Sequence, residues 1–212
     1  MMKIKIRNEE KKDERLVEEI TRKAFWNLYT PGCNEHYLLH LMREHKDFVK
    51  ELDLVIEVDD KVIGNIVYTK SRLVSYEVEI DILTFGPFSI LPEYQKKGYG
   101  SKLLQYSFEK VKEMDIPAIV IYGSCSYYCK HGFVSSKKFN ISGENDKFPA
   151  SLLVKVFDIE KIIDKNWKFI PSSVFNINMD GFEEYDSKFE KLEKKWSYTQ
   201  EEFWILSNSY ID

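Results

Sequence analysis

Leu83-Thr-Phe-Gly-Pro-Phe-Ser-Ile-Leu-Pro-Glu-Tyr-Gln-Lys-Lys-Gly-Tyr-Gly-Ser-Lys-Leu-Leu104 divides into three parts. An apolar run ends at Ile90 and Leu91 and reads as a strand. A short turn follows, opened by Pro92 and closed by Gly98 and Gly100. Leu103, Leu104, Phe108 and Val111 then recur at helical spacing. A strand, a glycine-bearing turn and a helix start make an anion site, because the first helical N–H groups lack intrahelical partners and the helix dipole is positive there. Gly98 and Gly100 let the backbone close on a ligand, and Lys96 and Lys97 add positive charge. The turn is not a Walker loop, which needs Gly-x-x-x-x-Gly-Lys-Ser/Thr. Nor is it a dinucleotide fingerprint, since Leu103 stands where the third glycine belongs.

The residues around the glycines are more specific. Gln95-Lys-Lys-Gly-Tyr-Gly100 resembles the Gln/Arg-x-x-Gly-x-Gly/Ala signature of the GNAT (GCN5-related) N-acetyltransferases. Phe85-Gly-Pro-Phe-Ser-Ile-Leu-Pro-Glu-Tyr94 resembles the strand entering that signature in a bacterial-type subgroup. Gly123-Ser-Cys-Ser-Tyr-Tyr-Cys-Lys-His-Gly-Phe133 is similar to a downstream Gly-x-Pro-x-Tyr-Tyr-x-Arg-Phe-Gly-Phe segment, departing from it at Ser124, Cys125 and His131. The resemblance covers roughly residues 3 to 158.

It implies an α/β fold: a central mixed, mostly antiparallel sheet, splayed at a bulge and flanked by helices. It also implies acetyl-CoA as cosubstrate and direct attack of an amine on the thioester. The backbone N–H groups of Gln95, Lys96, Lys97, Gly98, Tyr99, Gly100 and Ser101 would face the pyrophosphate. Strand-like backbone bonds at Phe88, Ser89 and Ile90 would hold the pantetheine arm. Tyr128, four before Gly132, falls where the family places a tyrosine beside the leaving sulfur. A phenol near its ordinary pKa of about 10 could protonate a thiolate. No residue stands out as the general base, and the acceptor, a small-molecule or protein amine, is not legible.

Composition fits this class. With 43% hydrophobic and 31% charged residues, neither disorder nor a membrane class is favoured. Met1 to Arg7 lacks the apolar core of a signal peptide, and no apolar run reaches membrane-span length. A net charge of -4 argues against nucleic acid as partner. Three cysteines, with Cys125 and Cys129 four apart, argue against a disulfide framework and for reduced thiols in a cytoplasmic protein.

The rest of the chain reads as follows. Lys3 to Arg7 alternates as a strand, and Asp13 to Phe25 carries Leu16, Val17, Ile20 and Ala24 on one helical face. Asn34 is a candidate N-cap for a helix from Glu35 to about His45. His36 and His40 share a face of it, but no acidic residue at ligand spacing supports a metal, and none is expected. Trp26, Tyr29 and His36 are candidates for acceptor contact. Leu52–Val58 and Lys61–Tyr68 form a hairpin around Asp59-Asp60, and Tyr76 to Leu83 alternates Val78, Ile80 and Ile82 with Glu77, Glu79 and Asp81. Gly86-Pro87 predicts a bulge. Ile116–Tyr122 is a buried strand, Ser124–Lys130 a short helix, and Phe133–Ile141 and Ala150–Phe157 further strands.

A domain over 1–160 is thus followed by an extension over 161–212. In the extension Phe182, Tyr185, Phe189, Leu192 and Trp196 form a helical stripe, and Thr199-x-x-Glu202 is a capping box. The stripe is expected to pack on the domain, with a homodimer contact as the alternative. Non-catalytic acyl-CoA binding is the alternative function.

Overall fold

The strand predicted to end at Ile90 sits in the middle of a mixed sheet in the computed structural model, which describes residues 3–76 and 78–212. Met1, Met2 and Glu77 lie outside the described residues. Among these there are nine strands: β1 Ile4–Asn8, β2 Leu54–Val58, β3 Lys61–Val74, β4 Glu79–Ile90, β5 Ala118–Tyr122, β6 Val134–Ser135, β7 Ile141–Ser142, β8 Leu152–Val156 and β9 Trp167–Ile170. The main order is β1-β2-β3-β4-β5-β8-β6. Pairing is antiparallel except at β4–β5 and β7–β9. The helices are α1 Glu14–Phe25, α2 Glu35–Met42, α3 Tyr99–Lys112, α4 Cys125–Tyr128, α5 Phe182–Asp186 and α6 Tyr198–Ser207.

Period-two alternation sends successive side chains of β3 and β4 to opposite faces. On one face Thr21 of α1 hydrogen-bonds Asn65, and Ser89 donates to Thr21 (3.2 Å each). On the other, Tyr68 bonds Ser107 of α3 at 2.7 Å. The sheet is therefore sandwiched between α1/α2 and α3. Leu103, Leu104, Phe108 and Val111 are all buried, so the predicted apolar face of α3 is the one that docks. Each such side chain contributes about 1.5–3 kcal/mol relative to exposure. A second apolar cluster joins Leu73, Ile82, Val120 and Val154 to Ile162, Trp167 and Phe169.

Four expectations are corrected. Phe133–Ile141 is not one strand. Ser135 Oγ accepts from Lys137 N–H, a 3-10 turn spans Ser136–Phe139, and Asn140 is left-handed at φ +50°. A local side-chain acceptor thus replaces the ladder partner. The helix expected over Phe182–Trp196 stops at Asp186. The carbonyls of Glu190 and Glu193 instead accept from the side chains of Arg22, Trp26 and Asn27 on α1 and the loop after it (2.8–2.9 Å). The Thr199–Glu202 capping box does not form, because Thr199 Oγ1 donates to Leu28 O at 2.7 Å. Asn34 occupies the N-cap position of α2, but its side chain makes no capping bond. The segment after Lys161 also supplies β9, which pairs with Arg72–Val74 of β3. Among the described residues no helix is long and apolar enough to cross a membrane.

Candidate active site

The loop before α3 has the geometry of a helix start that can receive an anion. Gly98 is the N-cap at φ +87°, where any other residue would be strained. The first intrahelical bond runs from Lys102 N–H to Gly98 C=O (3.1 Å), so the N–H groups of Gly100 and Ser101 lie outside the helix ladder. Gly100 serves a different purpose. A Cβ there would fall 2.8 Å from Tyr127 Oη and 3.1 Å from Phe88 Cζ. Any larger residue would press on the tips of these two side chains, from α4 and β4. No acidic residue occupies the first turn of α3. Lys96 is exposed, whereas Lys97 donates to Glu93 O at 2.7 Å. Gln95 Nε2 donates to Ile90 O (2.9 Å), tying the loop to the strand end. The ring of Tyr99 is buried against Tyr94, so this residue offers the loop its backbone and not its side chain.

The predicted bulge is present. The β3–β4 register passes from Ile66↔Phe88 to Tyr68↔Phe85, an extra residue on β4 at Gly86-Pro87. On the other side β4 and β5 meet in register only at Leu83↔Ile119. Beyond that pair the two strands part and leave a cavity of about 650 Å³. Its lining runs from Gln95, Ile90 and Phe88 through Gly86 and Phe85 to Tyr128, Tyr29 and Glu35. Leu91 N–H donates to Ile63 O at 2.8 Å, so alternation turns Ser89 toward β3 and leaves the backbone groups of Phe88 and Ile90 facing the cleft. Ser89, the middle residue of the three expected to hold the pantetheine arm, faces the other way: its backbone faces Asn65, and its side chain, 1% exposed, bonds Thr21.

Tyr128 reaches the cleft from α4. Its ring lies 5.7 Å from those of Phe85 and Phe133 and 5.0 Å from that of Tyr127. A Cβ on Gly123 would meet the Tyr128 ring at 2.5 Å, so this glycine leaves room for the ring. Burial pushes the phenol well above its ordinary range. This corrects the expectation of a phenol near pKa 10: the buried group stays protonated and can donate a hydrogen bond more readily than a proton.

Sequence reading missed Glu35. It opens α2, where an acid reads as a partner for the helix dipole. Its carboxylate accepts from Asn34 N–H (3.1 Å) and lines the same cavity as Tyr128. Burial raises its pKa, against the opposing pull of the N–H groups of Glu35 and Asn34. A desolvated carboxylate in the cleft that holds the donor phenol can take a proton from a bound ammonium.

A family model described as acetyltransferase (GNAT) family matches residues 22–133. The chain belongs to this family. An uncharacterized N-acetyltransferase of Escherichia coli K12, YjhQ, is 25% identical over 127 residues, covering 58% of this chain and 66% of that relative. A GNAT acetyltransferase of Brucella melitensis, solved in complex with acetyl-CoA, superposes with a TM-score of 0.65 at 21% identity, covering 82% of this chain and 98% of that one. The E. coli GNAT protein YhbS, solved in complex with CoA, gives a TM-score of 0.72 at 17% identity, covering 84% and 94%. These two likenesses establish the GNAT fold.

Of the three candidates for acceptor contact, one faces the GNAT cleft. Tyr29 lines it. Trp26 Nε1 donates to Glu193 O at 2.9 Å, and Arg22 lies over its ring. His36 is fully buried among Phe182, Tyr185 and Phe189, with Nε2 3.1 Å from Asp186 Oδ1 but off the line of a hydrogen bond. No group of three metal-ligating side chains occurs among the described residues.

Burial, outweighing the nearby Asp186 carboxylate, pushes His36 down to about 4. Below its ordinary value of about 6.5 the unfolded chain binds a proton that the folded chain refuses. The contribution of His36 to stability is therefore complete above pH ~6.5 and falls as the pH drops toward 4. Urea unfolding at about pH 7 and about pH 5 should differ by about 2 kcal/mol from this group. A His36→Gln variant should lose that difference, and an unchanged pH slope in the variant would refute the assignment.

Proposed function

We propose that the protein is an acetyl-CoA-dependent N-acetyltransferase that acts on a primary amine by direct attack in a ternary complex. The observation that carries this reading is one continuous cleft. It runs from Gln95, in the loop that leads into α3, along the open edge of β4 to the end lined by Tyr128, Tyr29 and Glu35. Acetyl-CoA, when bound, would supply the thioester carbonyl that the amine attacks. The Gly100 and Ser101 N–H groups, which lie outside the α3 ladder, would hold the pyrophosphate. The backbone groups of Phe88 and Ile90 would pair with the pantetheine amides, and an N–H of that strand would face the thioester oxygen as charge grows there. Glu35 takes the ammonium proton. The Tyr128 hydroxyl would donate a hydrogen bond to the departing thiolate, which would take up the second proton of the attacking nitrogen. Holding both substrates in one cleft replaces a bimolecular encounter with an oriented one.

Thermal-shift titration tests the cofactor assignment. Acetyl-CoA and CoA should raise Tm, and ATP should not. Ligand at a hundred times its Kd adds about 2.7 kcal/mol. Tyr128→Phe should keep the CoA shift and lose about 10- to 100-fold in kcat, the worth of one hydrogen bond to a developing charge. A CoA shift without turnover on any amine would identify a non-catalytic acyl-CoA binder. No shift with any ligand would reject the cofactor reading itself.

A further inference from the structure

A second cavity, of about 790 Å³, opens beside the cleft. Leu28, Tyr29, Tyr122, Glu144 and Phe203 line both, so the two adjoin. α6 roofs it. The roof is fastened at both ends. Thr199 Oγ1 donates to Leu28 O (2.7 Å) and Gln200 Nε2 to Asn27 O (3.1 Å). At the far end Ala150 N–H donates to Ser209 O (2.9 Å) and Ile211 N–H to Phe148 O (2.8 Å). Tyr29 and Phe203, which line both cavities, stack on each other at 4.4 Å.

The lining has a definite chemistry. Tyr29, Tyr122, Phe203 and Tyr210 present aromatic surface, and Glu144 and Glu202 present carboxylates. Glu144 is near enough to Tyr122 that, after burial, its charge helps to raise the phenol. Among the described residues of the lining, Lys147 is the single Lys or Arg, and its Nζ already lies over the Tyr210 ring at 4.9 Å. Aromatic faces and uncompensated carboxylates attract a cation. Glu35, at the cleft end, would receive the reacting ammonium.

We propose that the acceptor is an elongated amine with a second cationic group. Its reacting nitrogen lies beside Glu35 and Tyr128. Its distal cation lies under α6, among Glu144, Glu202 and the aromatic rings. The chamber is thus the specificity subsite of the transferase reading, on which this proposal rests.

Three acceptors of equal chain length separate the terms: diaminohexane, hexylamine and aminohexanoate. They differ only in the distal group, which is an ammonium, a methyl or a carboxylate. At saturating acetyl-CoA, kcat/KM should fall in that order, with about tenfold between the first two, equivalent to about 1.4 kcal/mol. The double variant Glu144→Gln with Glu202→Gln should collapse the diaminohexane-to-hexylamine ratio about tenfold through KM, with kcat for diaminohexane retained. Equal use of the three amines, a preference for aminohexanoate, or an unchanged ratio in the variant would overturn the proposal while leaving the transferase reading intact. A binding arm covers the converse case. With CoA present, diaminohexane should raise Tm in the wild type and not in the double variant. If no amine is turned over, that arm alone decides whether the chamber holds a dication.

Discussion

Glu35→Gln should lower kcat by about 10²–10³-fold, within the range for loss of a positioned general base, while the Kd for acetyl-CoA stays within about twofold. The substitution is nearly isosteric, and the amide oxygen can still accept the Asn34 N–H bond now made by the carboxylate at 3.1 Å. The start of α2 should therefore persist. Only the ability to hold a proton is removed. The pH dependence provides the sharper readout. Burial raises the Glu35 pKa above the usual glutamate range. A base works deprotonated, so wild-type kcat should fall on the acid side as the pH drops through that raised value. The variant, with nothing to titrate there, should lack this limb. A kcat within about threefold of wild type, or an acid limb that survives the substitution, would show that another group or a water path takes the proton.

Why Glu35 escaped the sequence while Gly98 and Gly100 did not is a matter of range. The glycine loop is a local object. Strand end, turn and helix start lie within twenty-two consecutive residues, Leu83 to Leu104, and their backbone geometry follows from residue type. The Gly86-Pro87 bulge is local in the same sense. The pKa of Glu35 is not: it depends on the lining that Phe25, Leu38 and Tyr29 share with it, brought together only when α1 and α2 fold over the parted strands. In sequence an acid at a helix start means a dipole partner and nothing more. Ser89 shows the limit of motif transfer. The resemblance assigns three consecutive residues to cofactor contact, but a strand turns alternate backbone groups to each edge, and the middle one belongs to β3.

The extension misled for a related reason. Phe182 and Tyr185 on α5, and Phe189 beyond its end, all pack around His36. Continuation of that helix would have cost Arg22, Trp26 and Asn27 their carbonyl acceptors on Glu190 and Glu193. Periodicity cannot register such long-range competition. A local signal for β9 did exist: Trp167-Lys-Phe-Ile170 alternates buried with half-buried positions, and its two aromatic rings fill the second apolar cluster.

Gly100→Val should weaken CoA binding by about 10²–10³-fold, and comparison with Gly98→Ala identifies the cause. At Gly98 the backbone is left-handed, but a Cβ would meet nothing within 4 Å. Alanine there adds about 1–2 kcal/mol of backbone strain and no clash. The protein should unfold a few degrees earlier and still respond to CoA. At Gly100 the backbone is ordinary helix, so strain plays no part. A Cβ would press on Tyr127 Oη at 2.8 Å and Phe88 Cζ at 3.1 Å, and valine adds two methyl groups beyond it. Overpacking of this kind costs about 1–3 kcal/mol. The helix start can relieve it by moving off β4, and this withdraws the Gly100 and Ser101 N–H groups from the pyrophosphate. Losing one or two charge-assisted hydrogen bonds adds about 1.5–3 kcal/mol each. The lost bonds alone predict a rise in CoA Kd of about 10²–10³-fold, measured by calorimetric titration on protein whose circular dichroism confirms folding, while the overpacking shows as a lower Tm. If Gly100→Val binds CoA like the wild type and Gly98→Ala does not, the close approach of α3 to β4 is irrelevant, and the left-handed turn alone makes the anion site.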